Sequence, residues 1–115
     1  MTEDLGVGWL VRDGEVLASA EVPSGRWGRG RGLLGRAGFE GAMVLRPCRS
    51  VHTMGMRFPV DVAFCDRSGT VVRTATLRPW RVTRVQWRAH FAIEAAAGAF
   101  DRWQLRPGDQ IEVKE

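Results

Sequence analysis

Two acidic residues in this sequence lie in otherwise apolar runs. Asp61 lies in the run Val60–Cys65, and Glu94 lies in the run Phe91–Ala95. If both runs are strands, the two-residue period places each carboxylate on a face of small apolar side chains, so we expect both carboxylates to be at least half buried. A buried carboxylate must be paired or protonated. Two such groups that face one cleft would serve as acid, base or cation ligand.

A structural role is the alternative for the same carboxylates. Each would form a fixed arginine pair or accept hydrogen bonds from backbone donors, with Arg36 and Arg57 the nearest arginines by motif. His52 precedes the strand of Asp61, in a segment with glycine and methionine, where a histidine would either titrate usefully or be hydrogen-bonded in place. The candidate cleft is therefore formed by His52, Asp61, Glu94 and Arg36, and the catalytic residue is left open.

A second group of residues has the chemistry of anion and nucleic-acid contacts. From Val71 to Ile93 the sequence contains no acidic residue, and it interleaves arginines with tryptophans. On an oligonucleotide-binding barrel, this pattern would provide base stacking and phosphate contacts. The glycine-rich and arginine-rich loop at residues 24–36 would bind an anion through backbone N–H groups. The candidate contacts are Arg29, Arg31, Arg81, Arg84, Trp80 and Trp87.

Each of these basic segments also has a structural interpretation. The loop would be solvated, and Trp80 and Trp87 would cover the end of the barrel. The net charge of +4 is weak support for a polyanionic partner, because the 17 basic residues comprise 16 arginines and one lysine, which indicates a coding bias. The glycines at residues 30–35 match G-x-G-x-x-G, but the preceding strand and the later acidic residue of a dinucleotide site are missing.

The two cysteines do not predict a metal site. Cys48 and Cys65 form no C-x-x-C motif, and we expect both to be free thiols. Together with His52 and His90 they would supply four ligands, but structural zinc sites present a close pair of ligands at each end. We therefore predict no metal and no cofactor.

The elements that must position these residues are short strands joined by hairpins. The residues before and after Asp13-Gly14 predict the opening hairpin, because this dipeptide favours a type I′ turn. Further strands are predicted at residues 41–46, 60–65, 70–77, 91–95 and 111–115, and short helices after the loop at 24–36 and at 99–105. This pattern predicts a β-rich α+β fold, with a small barrel-like antiparallel sheet and two short helical segments.

The length of 115 residues, 44% of them hydrophobic, is enough for one core, so we predict one domain over residues 1–115 with the opening hairpin at 1–24 joined to it. No apolar run approaches the ~18–20 residues of a membrane span. The first residues carry acids where a signal peptide has lysine or arginine, so we expect a cytoplasmic protein without membrane partners.

Four blocks resemble one prokaryotic family. RGLLGR at 31–36, SVHTMGMRFPVDVAFCD at 50–66, IEAAAG at 93–98 and LRPGDQIEV at 105–113 are similar to the family catalogued as domain of unknown function 192, over about residues 25–115. The resemblance implies a compact β-barrel-like domain without an established activity. Many members carry an aromatic-Met-Lys-Asn-Thr run where this chain has residues 51–57, so a role based on the Lys-Asn-Thr part of that run does not transfer.

The function that we predict from these observations is a module that binds a small ligand or a protein partner, with a cleft near His52, Asp61 and Glu94. Two alternatives stay open. One is a small hydrolase or lyase that uses these three residues, and the other is a single-stranded nucleic-acid binder that uses the Arg/Trp segment at residues 73–88.

Overall fold

The computed structural model describes residues 5–23 and 41–115 of the chain. Seven strands and one short helix lie within these ranges. The strands are β1 (Leu5–Arg12), β2 (Glu15–Pro23), β3 (Ala42–Leu45), β4 (Val60–Cys65), β5 (Val71–Leu77), β6 (Phe91–Ala96) and β7 (Glu112–Lys114), and the helix is α1 (Ala99–Trp103). They form one sheet in the order β5-β4-β6-β3-β2-β1-β7.

The opening hairpin of β1 and β2 confirms the prediction from the sequence. Asp13 and Gly14 have φ angles of 52° and 80°. A type I′ turn requires positive φ at both central residues, which is why Asp-Gly at this place starts a hairpin. Arg12 therefore pairs directly with Glu15, and the pairing runs antiparallel along both strands.

The sheet differs from the prediction in two respects. It is mixed, because β2 and β3 pair in parallel, whereas the sequence analysis predicted an antiparallel sheet. Residues 24–41 connect these two strands, and a connection of that length permits a crossover that a hairpin turn does not. The predicted barrel is not confirmed either: among the described strands, β5 and β7 remain the edges of the sheet.

The two edges approach each other just before β5 and β7. Thr70, just before β5, and Gln110, just before β7, form an isolated antiparallel bridge. The amide of Ile111 donates to the carbonyl of Gly69 at 2.9 Å, and the amide of Val71 donates to the carbonyl of Asp109 at 2.8 Å. This seam ties the end of the chain to the start of β5 without a continuous ladder.

Gly69 makes this seam sterically possible, and Gly69→Ala is expected to open it. A Cβ at this position would lie 2.2 Å from the carbonyl oxygen of Ile111, and the φ of +90° disfavours any side chain. We expect the substitution to lower the free energy of unfolding by about 2 kcal/mol. Urea denaturation measures this change, with Gly14→Ala as control, because Gly14 also has positive φ but has open space around its Cβ. An equal loss in both variants would contradict the steric explanation.

The helical predictions have different outcomes. The helix predicted at residues 99–105 is confirmed as α1, which begins at Ala99 and ends at Trp103. The helix predicted after the loop at 24–36 lies outside the described residues.

Both faces of the central strands are covered, which is why β3 and β4 are buried along their whole length. On one face, Ala63, Ile93 and Ala95 pack in a cluster with Phe100 of α1 and with residues near β7. On the other face, Met43, Val62 and Phe64 pack in a second cluster. This second cluster contains residues from two long connections, Val51, Met56 and Ala89.

These two connections form what we call the covering layer, residues 49–57 and 78–89. They pair with each other: the amide of Thr53 donates to the carbonyl of Arg81 at 2.7 Å, and the amide of Thr83 donates to the carbonyl of Val51 at 2.9 Å. His52 and Val82 form an isolated bridge between them. The inner side of the layer contributes to the second cluster, and its outer side faces water.

Candidate functional site

Asp61 binds the start of α1 rather than an arginine. Its side chain is 4% exposed. One carboxylate oxygen accepts a hydrogen bond from the hydroxyl of Thr76 at 2.7 Å. The other accepts from the backbone amides of Gly98 at 3.0 Å and Phe100 at 3.1 Å. The first amides of a helix have no partner within it, so a carboxylate from a neighbouring strand stabilises this end of α1.

This contact decides between the partners expected for Asp61. The sequence analysis expected an arginine pair or backbone donors, and the structure has the backbone donors. Arg57 is exposed, and Arg36 lies outside the described residues. The reason is topological: the chain leaves β6, the neighbour of β4, and turns into α1 directly above Asp61.

A pocket of about 280 Å³ lies beside Asp61, lined among others by Thr74, Thr76 and Asp101. Both oxygens of Asp61 already accept hydrogen bonds, so the carboxylate is held in one orientation by its structural partners. A ligand in this pocket would meet a carboxylate already engaged by three donors.

Glu94 is buried without comparable partners. It lies in the middle of β6, paired with Met43 on one side and Val62 on the other, and it is 5% exposed. Among the described residues, no side chain or amide donates a hydrogen bond to its carboxylate. Desolvation by this apolar surrounding raises the pKa of Glu94 from 4.5 to about 7.

The two carboxylates lie on opposite faces of the sheet. Asp61 is directly paired with Ala95, while Glu94 is directly paired with Val62. Directly paired residues share a face and successive residues alternate, so Asp61 faces α1 and Glu94 faces the covering layer. The structure therefore does not bring Asp61 and Glu94 into one cleft.

His52 lies in the covering layer, on the side of the sheet that Glu94 faces. Its side chain is exposed, and its Nδ1 accepts a hydrogen bond from the amide of Met54 at 3.3 Å. The sheet therefore separates His52 from Asp61. Arg36, the fourth residue of the predicted cleft, lies outside the described residues.

The tryptophans of the Arg/Trp segment are exposed. Trp80 is 60% and Trp87 is 76% exposed, so neither covers the end of a sheet as the structural interpretation expected. Arg81 and Arg84 are exposed on the same layer. Arg29 and Arg31 of the glycine-rich loop lie outside the described residues.

The layer also carries other exposed apolar side chains between its arginines. Met54, Val82 and Val85 are each more than two-fifths exposed. An exposed apolar residue on its own is normal, but several of them on one layer, among exposed arginines, make that layer a candidate interaction surface. The outer side of the covering layer is the strongest candidate for a functional surface among the described residues.

Thr53 fixes this surface, and the sequence analysis did not identify it. It is fully buried, its hydroxyl donates to the carbonyl of Arg78 at 2.6 Å, and the same hydroxyl accepts from the amide of Arg81 at 2.8 Å. Its carbonyl accepts from the amide of Trp80 at 2.9 Å. A single threonine between polar and apolar neighbours carries no sequence signal for such a role, because the partner segment is 25 residues or more away.

The cysteines have different environments. Cys65 is buried, and desolvation raises the pKa of its thiol to about 12, so it stays protonated and unreactive. Cys48 is half-buried, and its thiol donates to the carbonyl of Ser50 at 3.2 Å. Within residues 5–23 and 41–115, no three histidine, cysteine, aspartate or glutamate side chains come together as metal ligands. In the same ranges, no helix has the length and apolarity to cross a membrane.

Curated relatives match part of the chain. A UPF0127 protein of Pyrococcus abyssi is 35% identical over 63 residues, which is 55% of this chain and 54% of the relative. A UPF0127 protein of Pyrococcus horikoshii is also 35% identical over 63 residues, 55% of each chain. The match spans about half the length of these relatives.

Two solved structures share the fold over nearly the whole chain. A provisionally assigned transcription regulator from Sinorhizobium meliloti superposes with a TM-score of 0.78 at 18% identity, over 98% of this chain and 96% of that one. A protein of unknown function from Novosphingobium aromaticivorans superposes with a TM-score of 0.75 at 16% identity, over 94% and 84%. At these identities the likeness shows the fold alone.

The family model for DUF192, described as "Uncharacterized ACR", matches residues 7–113. The match includes the N-terminal hairpin, which the resemblance in the four sequence blocks did not reach. The chain belongs to the DUF192 family.

Proposed function

We propose that this chain is a binding module that holds single-stranded nucleic acid on the outer side of the covering layer. The observation that carries the proposal is the exposure of Trp80 and Trp87 among exposed arginines. Exposed indole rings stack on bases of any sequence, and guanidinium groups contact phosphates, which are the two contacts that single-strand binding needs.

The charge of the layer supports an anionic partner. Residues 49–57 and 78–89 contain six arginines and no acidic residue. All six are exposed: Arg49, Arg57, Arg78, Arg81, Arg84 and Arg88. The overall excess of arginine does not explain this distribution, because the chain also has 13 acidic residues and none of them falls in the layer.

The rigidity of the layer supports a preformed site. Thr53 holds the backbone of Trp80 and Arg81, and the backbone hydrogen bonds between the two connections fix their register. Side chains whose backbone is already ordered lose less conformational freedom when a ligand binds.

The rival hypothesis of a hydrolase or lyase needs Asp61, Glu94 and His52 in one cleft. The pairing of β4 with β6 separates the two carboxylates, and Asp61 is engaged by α1. A small-ligand cleft built from the same residues has the same difficulty, so the nucleic-acid surface is the function that the geometry supports best.

Binding of a labelled oligothymidylate of about 12 nucleotides, measured by fluorescence anisotropy at several salt concentrations, tests the proposal. We expect Trp80→Ala and Trp87→Ala each to weaken binding about tenfold, because each removes a stacking platform. Arg81→Gln and Arg84→Gln are each expected to reduce the salt slope by about 0.7.

Matched controls separate specific binding from general attraction to a basic protein. Trp9→Ala removes a tryptophan that is 50% exposed on β1, away from the layer. Arg106→Gln removes an exposed arginine near β7. The proposed function is wrong if the layer variants and these controls lose equal affinity for the oligothymidylate. It is also wrong if heparin binds as tightly as the oligothymidylate and its affinity does not change in Trp80→Ala and Trp87→Ala.

A further inference from the structure

Glu94 lies on the face of the sheet that the covering layer occupies. Its paired neighbours, Met43 and Val62, belong to the same apolar cluster as Val51, Met56 and Ala89 of the covering layer. The carboxyl group of Glu94 therefore lies on the face of the sheet that the layer covers, beside apolar side chains that pack against the layer. Its protonated form is compatible with that contact, whereas its ionised form requires water or a donor that the described residues do not supply.

We propose that the protonation of Glu94 controls how firmly the covering layer is held on the sheet, and thereby regulates the nucleic-acid surface. The inference rests on the proposed function, since it concerns the regulation of that same surface. When Glu94 loses its proton, hydration of the carboxylate competes with the packing of Val51, Met56 and Ala89, and the layer opens more often.

No other described ionisable group on the neighbouring elements replaces Glu94 in this role. The faces of β3 and β4 that lie beside it present only apolar side chains. On β2, Glu21 is paired with Met43, so it lies on the same face of the sheet as Glu94 but two strands away. Its side chain is half-buried and has an interaction partner. In the layer, His52 and the arginines are exposed on the outer side.

The burial of the Glu94 carboxyl sets the direction and the size of the pH dependence of layer opening. Its pKa of about 7 in the closed state exceeds the 4.5 of a solvated glutamate, so opening is favoured as pH rises. For these two pKa values, linkage gives an increase of about tenfold in the opening equilibrium between about pH 6 and about pH 8.5.

Amide hydrogen exchange of peptides from 49–57 and 78–89, corrected for the intrinsic rate at each pH, measures this opening. We expect the tenfold increase in the wild-type chain and none in Glu94→Gln. Glu112→Gln removes a carboxylate exposed on β7 and is expected to behave like the wild-type chain. His52→Asn, in the layer, tests whether the exposed histidine causes the pH dependence instead.

The oligothymidylate provides the second measurement at the same two pH values. We expect its dissociation constant to rise with pH more in the wild-type chain than in Glu94→Gln. Equal pH dependence in these two chains, in exchange or in binding, overturns the inference. If the oligothymidylate does not bind at either pH, the proposed function fails, and hydrogen exchange alone decides whether Glu94 controls the layer.

Discussion

At about pH 8, Glu94→Gln is expected to raise the free energy of unfolding by about 3 kcal/mol. The pKa of Glu94 is about 7 in the folded chain and 4.5 without the protein environment. Because the folded value is the higher one, the contribution of this carboxyl to stability is complete below about pH 4.5 and is lost as pH rises to about 7. Glutamine is uncharged at every pH and of similar size, so it avoids that loss.

Chemical denaturation from about pH 4.5 to about pH 8 checks this expectation. The wild-type chain and Glu94→Gln should have similar stability at the acidic end and diverge as pH rises. Glu112→Gln is the control. Because Glu112 is exposed, the same change of charge there should give a stability curve that does not diverge from that of the wild-type chain as pH rises. Parallel curves for wild type and Glu94→Gln would mean that Glu94 finds a donor when it ionises.

Asp61→Ala is expected to lower the free energy of unfolding by about 3–5 kcal/mol. The substitution leaves the buried amide of Phe100 without an acceptor, and it also removes the acceptor of the half-buried amide of Gly98 and of the hydroxyl of Thr76. Each stranded donor costs about 1–3 kcal/mol. The loss is a large part of the ~5–15 kcal/mol that stabilises a typical domain.

Two milder variants establish that hydrogen bonding is the cause. Asp61→Asn keeps one acceptor oxygen for the amides, and its NH₂ group donates to the hydroxyl of Thr76, so we expect less than half of the alanine effect. Thr76→Val removes one donor and is expected to cost about 1 kcal/mol. A denaturation midpoint of Asp61→Ala at or above that of the wild-type chain would assign this carboxylate a functional role instead.

The sequence predicted those features that depend on neighbouring residues. Asp13-Gly14 predicted the first hairpin, and the apolar runs around Asp61 and Glu94 predicted two buried strands, because turn geometry and alternation are local properties. The burial of both carboxylates followed from the small apolar side chains beside them.

The relation between the two carboxylates is not a local property. Whether Asp61 and Glu94 share a face depends on the register of β4 against β6, and a shift by one residue would have placed them together. The exposure of Trp80 is also set from a distance, because Thr53 and the pairing of two connections fix it. The parallel pairing of β2 with β3 depends on the path of a long connection in the same way.

The contact between Asp61 and the start of α1 has a consequence for the order of folding. A helix of five residues is too short to persist by itself, since helix nucleation is unfavourable. The carboxylate that stabilises its first amides belongs to Asp61, which lies 37 positions before Gly98 and 39 positions before Phe100. We therefore expect α1 to become stable after β4 and β6 have paired, with the assembled sheet acting as the template for the helix.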